Sequence, residues 1–245
     1  MLITSLDNER VKKYIKLKDK KYRDKCGEFI VEGTHLVLEA YKNNLIEELI
    51  LEKDEVLPLD VKNIVYLPME IIEKVSTVET PQTVMALCKK KEETTELKDK
   101  ILLIDGIQDP GNLGTIIRSS VAFNIDTIVL SENTVDLYNP KTIRATQGMF
   151  FHINIIKRDL ESVIAELKEK QIPVYGTLVG YGSDVRSLSE KDKLRYALVV
   201  GNEGNGVRNS ISNLCDKNLY INMNGNVESL NVAIATSILL YELGR

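Results

Sequence analysis

The 245-residue sequence contains no tryptophan and only two histidines, three cysteines and six prolines; its aromatic residues make up 6% of the chain. With so few rings, an exposed aromatic platform for stacking unpaired bases is not indicated, and recognition of a nucleic acid would rest on shape and phosphate contacts. Cys26, Cys88 and Cys215 are odd in number, far apart and without metal-ligand spacing. They exclude a disulfide framework and a zinc module and are read as reduced, structural thiols. His35 and His152 stand without a paired base or ligand, so both are read as structural and no metal is expected. No apolar run is long enough to span a bilayer, and residues 1–7 have neither the basic front nor the apolar core of a signal peptide. A cytoplasmic protein is the expectation.

What is present, 43% hydrophobic and 28% charged residues, suits an ordinary globular protein of one large or two modest domains. The net charge of −4 is unevenly distributed. Residues 1–25 carry nine Lys or Arg and four acids, a local +5, so the other 220 residues carry −9. A basic end on an acidic body fits a module that meets a polyanion; a solvated helix face without a partner is the alternative.

Along the chain, Val11, Tyr14, Ile15, Leu17 and Tyr22 give 5–25 a helix-like spacing. Strands are expected at 28–33, 49–51, 64–67 and 82–88 and helices at 34–43 and 69–75, which together describe a small α/β sandwich. Residues 89–100 are almost wholly charged or polar and contribute little to a core, which places a boundary between a domain at 1–95 and a domain at 100–245. The continuous apolar run at 101–104 reads as a strand buried on both faces of a parallel sheet. Further strands are expected at 127–130, 151–155, 174–178, 197–200 and 219–221, alternating with helices at 112–123, 140–147, 160–170 and 229–243. That alternation predicts a doubly wound, mostly parallel sheet with its ligands at the carboxyl ends of the strands.

Three loops follow expected strands. In 105–118, Asn112 opens a helix and Arg118 lies six residues on, roughly 240° around it; alternatively Asn112 is only a helix cap and Arg118 a surface charge. The glycines of 201–206 are ordered G-x-x-G-x-G, which is not the dinucleotide fingerprint, and no P-loop lysine follows. Glu203 inside that loop would repel a phosphate and suit a cation. The third loop, 221–231, lies about twenty residues further on.

Residues 112–118, 201–206 and 228–233 resemble, in order and spacing, the three signature motifs of the SpoU (TrmH) family of RNA 2′-O-ribose methyltransferases. Residues 29–33 and 80–86 stand where motifs of that family's L30e-like substrate-binding domain would, so the resemblance covers essentially the whole chain. It implies a SPOUT-type α/β knot, a carboxyl-terminal trefoil knot on a mostly parallel sheet, preceded by the L30e-like α/β sandwich. It further implies a homodimer that uses S-adenosylmethionine to methylate a ribose 2′-hydroxyl in structured RNA, 23S ribosomal RNA above all. Transfer RNA as substrate, or a non-catalytic RNA-binding protein of the same fold, are the alternatives. By motif position, Asn112, Arg118, Glu203, Ser229 and Asn231 match the active-site set. Thr177, Leu178, Gly201, Asn202, Gly204, Ile221, Met223, Ser229, Leu230 and Ala233 match the cofactor pocket. Arg10, Lys12, Lys13 and Arg23 are the expected RNA-facing cations. Asn222 stands where the family usually has proline, a change in loop stiffness more than in chemistry. An arginine side chain keeps its proton to pH values above about 12, so Arg118 is expected to position the ribose phosphate and stabilise alkoxide charge rather than to act as a simple base.

Overall fold

The computed structural model describes residues 1–180 and 182–245. Its contacts divide into two units, residues 1–92 with 136–151 and residues 93–135 with 152–245.

The first unit begins with two short helices, α1 (Glu9–Lys16) and α2 (Lys20–Cys26), where the spacing suggested one. Asp19 breaks the run: it has extended backbone and its carboxylate accepts the Lys21 N–H, which starts a new helix. There follow β1 (Glu28–Glu32), α3 (Thr34–Lys42), β2 (Ile46–Glu52), β3 (Ile64–Leu67), α4 (Met69–Val75) and β4 (Val84–Lys89). The sheet runs β1-β4-β2-β3, with β4 antiparallel to both its neighbours and β2 parallel to β3. Val11, Tyr14 and Leu17 of the α1 region and Ile71 and Ile72 of α4 share one buried cluster with Ile50, Val65, Met85 and Leu87 of the sheet. Each such side chain contributes about 1.5–3 kcal/mol of transfer free energy, which secures the amphipathic helices.

From residue 100 the elements are β5 (Lys100–Asp105), α5 (Pro110–Ala122), β6 (Thr127–Leu130), α6 (Pro140–Thr146), β7 (Asn154–Lys157), α7 (Leu160–Glu169) and β8 (Val174–Thr177). The chain continues through β9 (Ser183–Asp184), α8 (Glu190–Leu194), β10 (Tyr196–Gly201), α9 (Asn209–Ser212), β11 (Lys217–Tyr220) and α10 (Val232–Leu243). All strand pairs in the second sheet are parallel, in the order β7-β6-β5-β10-β8-β11-β9. Ile101 to Ile104 are each fully buried, as a strand covered on both faces requires. Ile101 and Leu103 pack with Leu160, Val163, Ile164 and Leu167 of α7. Leu97 joins the same cluster, so the polar segment before β5 does supply one core side chain. The chain leaves β5 for β6 on one side and leaves β10 for β11 on the other. Adjacent strands whose exits diverge open a crevice between their carboxyl ends.

Residues 136–151 depart from the expected boundary, since by contacts they cluster with the first unit although they follow the polar segment at 89–100. The cause is aromatic packing. Phe29 of β1 lies 4.9 Å from the Tyr138 ring and 5.9 Å from that of Phe150, and such ring pairs add about 0.5–1.5 kcal/mol to their burial. The strand expected at 151–155 therefore starts late: Met149–His152 is a 3₁₀ turn that carries Phe150 and Phe151, and the strand proper is β7.

Candidate active site

The second unit joins three distant segments at the carboxyl edge of its sheet. β5 and β10 pair with Asp105 opposite Gly201, so the loops that follow them emerge side by side. Glu203 reaches from one to the other. Its carboxylate accepts the Asp109 N–H at 3.0 Å, the Gln108 N–H at 3.1 and 3.3 Å and the Asn112 amide N–H at 3.1 Å, with Asn202 Nδ2 at 3.3 Å. Asn112 in turn accepts the Asn231 amide N–H at 2.9 Å. The result is a continuous hydrogen-bonded chain, Asn231 to Asn112 to Glu203, across residues up to 119 apart in sequence. Burial alone would raise the Glu203 carboxyl, but the N–H donors of Asp109, Asn112 and Gln108 outweigh it and hold the carboxyl below its ordinary value. Its charge faces the amide-rich start of α5, where anions are favoured, a set of partners that the loop's sequence does not disclose.

Asn112 is free for this role because it does not cap α5. Asp109 does, accepting the Asn112 N–H at 2.8 Å, and Pro110 follows at the first turn, where its missing N–H costs nothing. Such a cap contributes about 1 kcal/mol. Asn231 caps α10, its side chain accepting the Ala233 and Ile234 N–H groups at 2.9 and 3.3 Å. Asn231 therefore accepts through its oxygen and donates through its nitrogen, which fixes its amide orientation.

The glycine loop closes on itself. Asn202 and Gly206 exchange both backbone hydrogen bonds at 2.9 Å, and Asn202 Oδ1 accepts the Gly204 and Asn205 N–H groups. Gly201 lies so close to the returning strand that a Cβ would collide with the Gly206 carbonyl carbon and the Val207 nitrogen. The loop exit is tied down by Asp105, whose buried carboxylate accepts the Arg208 N–H at 2.9 Å and its Nε–H at 2.7 Å. Asp105, Gln108, Asp109 and Arg208 were not singled out from sequence. Only Asp109 had a local signal, an aspartate just before a helix-opening proline.

The residues assigned to a cofactor fall on three neighbouring strand ends. Thr177 pairs with Leu219, the Leu178 N–H donates to the Leu219 carbonyl at 3.0 Å, and β10 lies on the other flank of β8. Gly201 and Asn202 end β10, Ile221 and Met223 follow β11, and Leu230 and Ala233 frame the start of α10. Leu178, Ile221, Met223 and Leu230 are half-buried; Gly204 and Ser229 are exposed. Arg118 is not drawn into the network. It is exposed on α5, and among the described residues it makes no hydrogen bond or ion pair. Ser229 likewise has no side-chain hydrogen bond within the described chain.

Of the expected RNA-facing cations, Arg23 needs a correction, and the other three are held in ion pairs. Arg23 is 3% exposed, and its guanidinium donates to the Leu17 and Lys18 carbonyls and to Asp136, so it is an interior residue. Arg10 pairs with Glu48, Lys12 with Asp7 and Glu9, and Lys13 with Glu28 at 2.7 Å. Spacing in sequence could not reveal the pairings of Arg10, Lys13 and Arg23, because their acidic partners come from β2, β1 and the segment after β6. Among the described residues no group of three His, Cys, Asp or Glu is arranged to hold a metal, and no helix is long and apolar enough to cross a membrane.

Known proteins share this architecture. A model described as the SpoU rRNA Methylase family matches residues 99–241, and one described as the MRM3-like substrate binding domain matches residues 8–86. The chain is 42% identical over 245 residues, 98% of each protein, to the 23S rRNA (guanosine(2553)-2′-O)-methyltransferase RlmP of Bacillus subtilis (strain 168). Among solved structures it is similar to a putative RNA methyltransferase of the TrmH family from Porphyromonas gingivalis, with 31% identity, a TM-score of 0.86 and 98% of each chain covered. It is also similar to an AdoMet-bound rRNA methyltransferase from Sinorhizobium meliloti, with 28% identity and a TM-score of 0.87 over 99% of this chain and 97% of that one. With its three loops meeting where the matched model runs, the chain belongs to the SpoU rRNA methylase family.

Proposed function

We propose that this protein transfers a methyl group from S-adenosylmethionine to a ribose 2′-hydroxyl of 23S ribosomal RNA in the cytoplasm. The observation that carries this reading is the bonded chain of Asn231, Asn112 and Glu203, which joins three loops at the carboxyl edge of a parallel sheet. Bound S-adenosylmethionine supplies a sulfonium-activated methyl group, so the protein's task is alignment. The residues fit such a ligand. The cofactor set contains no charged side chain, and a cation there would repel the sulfonium; Leu178, Ile221, Met223 and Leu230 offer half-buried apolar surface for an adenosine. Asn112 and Asn231 hold the pocket wall, Glu203 fixes the two loops in register, and Ser229 stands exposed at the rim toward the substrate. Arg118 holds the phosphate next to the target ribose and stabilises charge on its 2′-oxygen as the proton leaves; with no partner among the described residues, the guanidinium is available for this.

The same reading includes a trefoil knot at the carboxyl end, an L30e-like first unit and a homodimer. The packing of α10 against α5, linked by Ser119 and Ser237 at 2.6 Å, supports a tightly tucked carboxyl end. The exposed Ile234, Ile238 and Tyr241, one apolar stripe of α10, support a second copy covering that helix. Mapping ribose methylation in 23S rRNA from cells with and without the gene tests the function. The expected outcome is loss of one 2′-O-methyl group, at the guanosine equivalent to the target named for the Bacillus subtilis relative. Unchanged methylation throughout ribosomal RNA would overturn the proposal.

A further inference from the structure

The basic stretch at 10–25 divides into two kinds of cation. Arg10, Lys12 and Lys13 on α1 are paired with carboxylates, and Arg23 is interior. Lys16, Lys18, Lys21 and Lys25 are exposed and, among the described residues, enter no ion pair; the Lys16 ammonium lies 5.8 Å over the Tyr22 ring. All four lie on the elbow formed by the end of α1, the turn and α2. Asp24, the acid nearest them in α2, is already shared between Lys20 and Lys90 at 2.6 Å each, so that trio keeps a net positive charge. Although its burial works the other way, those two lysines hold the Asp24 carboxyl down to about 2, so it stays charged and engaged at neutral pH. Counting Asp19 and Asp24 against Lys16, Lys18, Lys20, Lys21 and Lys25, the exposed elbow carries +3 on a chain of net −4.

The elbow is also held from inside. Arg23 Nη1 donates to the carbonyls of Leu17 at 2.7 Å and Lys18 at 2.8 Å, the last carbonyls of the α1 turn, and Nη2 bonds Asp136 at 2.5 Å. These bonds fix the angle between α1 and α2. A paired lysine must give up its carboxylate to meet a phosphate, whereas an unpaired one on a fixed frame loses only its own side-chain freedom. We propose that the elbow bearing Lys16, Lys18, Lys21 and Lys25 is the surface that holds the phosphates of the RNA, with Arg23 as its interior frame. This rests on RNA being the substrate, and it moves the contact from the paired cations Arg10, Lys12 and Lys13 to the unpaired ones at the end of α1 and after it. Binding here depends on phosphate charge and so positions the RNA without reading its bases.

The test is the salt dependence of binding to transcribed 23S rRNA, measured between 50 and 200 mM KCl for the full chain. Replacing the four lysines (K16Q, K18Q, K21Q, K25Q) should make the log–log slope shallower by about 3, because each phosphate contact contributes about 0.7–0.9; the affinity lost across that range then shrinks by about 60-fold. The pair K21Q and K25Q should give about half the slope change, which keeps the test valid if the fourfold variant folds poorly. A control with equal charge loss elsewhere (K62Q, K74Q, K98Q, K168Q) should leave the slope within about 1 of the unmodified protein. A fourfold variant with unchanged slope, or a control that changes it equally, overturns the elbow assignment while leaving methyl transfer intact. RNA binding that needs the four lysines but is followed by no methyl transfer supports the elbow and overturns the proposed function instead.

Discussion

Replacing Glu203 by glutamine keeps the side chain's shape and removes its charge. In the protein the carboxylate receives backbone N–H groups from Gln108 and Asp109 and side-chain N–H groups from Asn112 and Asn202. A glutamine offers a single acceptor oxygen, and its NH₂ would face one of these donors. A hydrogen bond to a charged group is worth about 1.5–3 kcal/mol when buried, and exposure reduces that for each donor. A loss of about 2 kcal/mol for the set is the working figure, which corresponds to about 30-fold in kcat/KM if the joined loops are what bind and align. The same loss should lower the thermal midpoint by about 4–8 °C for a chain of this size. The pH dependence has a definite sign. The Glu203 carboxyl lies below its ordinary value of 4.5 in the folded protein, so its stabilisation is complete above that pH and fades as the pH falls below it. The gap in urea stability between the unmodified protein and E203Q should therefore narrow on acidification. Steady-state methyl transfer, melting curves and urea unfolding at two pH values measure all three quantities. An E203Q protein with unchanged midpoint and undiminished turnover would refute the idea that this carboxylate joins the loops.

Gly201→Ala should be severe, because its Cβ would meet fixed backbone at Gly206 and Val207, and denaturant unfolding should show a loss of about 3 kcal/mol or more. Gly204→Ala is the matched control, since only the Asn202 side chain lies nearby, at 3.6 Å, and its midpoint should stay close to that of the unmodified protein. Arg118→Lys should keep part of the methyl-transfer rate and Arg118→Ala little of it, with no new titration near neutral pH in either profile; a lysine variant with full activity and a rate rising through neutrality would favour simple base catalysis instead. Burial raises the Cys88 thiol far above its ordinary value and the Cys215 thiol to about 11, so iodoacetamide at pH 8 should spare both in the native protein and label both after denaturation.

Local pattern was enough for much of this protein. Turn residues and apolar periodicity located α4 and β3 to the residue and β6 likewise, because each is short, flanked by breakers and buried by its own sequence pattern. The run at 101–104 announced a strand covered on both faces, and its neighbours in the sheet were legible for the same reason. The misjudged pieces are those whose state depends on a distant partner. Phe151 looks like the start of a strand until Phe29 and Tyr138 draw the neighbouring Phe150 into the first unit and a 3₁₀ turn takes both rings. Arg23 looks like a surface cation until Asp136, 113 residues away, is found beside it.

The candidate site divides along the same line. Sequence determined which residue types stand on which loops, and with them the family, since order and spacing along the chain are one-dimensional facts. Tertiary structure alone decided that Glu203 accepts the N–H groups at the start of α5, that Asp109 and not Asn112 caps that helix, and that Asp105 anchors Arg208. These are consequences of strand register: β5 and β10 are almost a hundred residues apart in the chain yet adjacent in the sheet, and the pairing of Asp105 with Gly201 sets which loop atoms come within hydrogen-bonding reach.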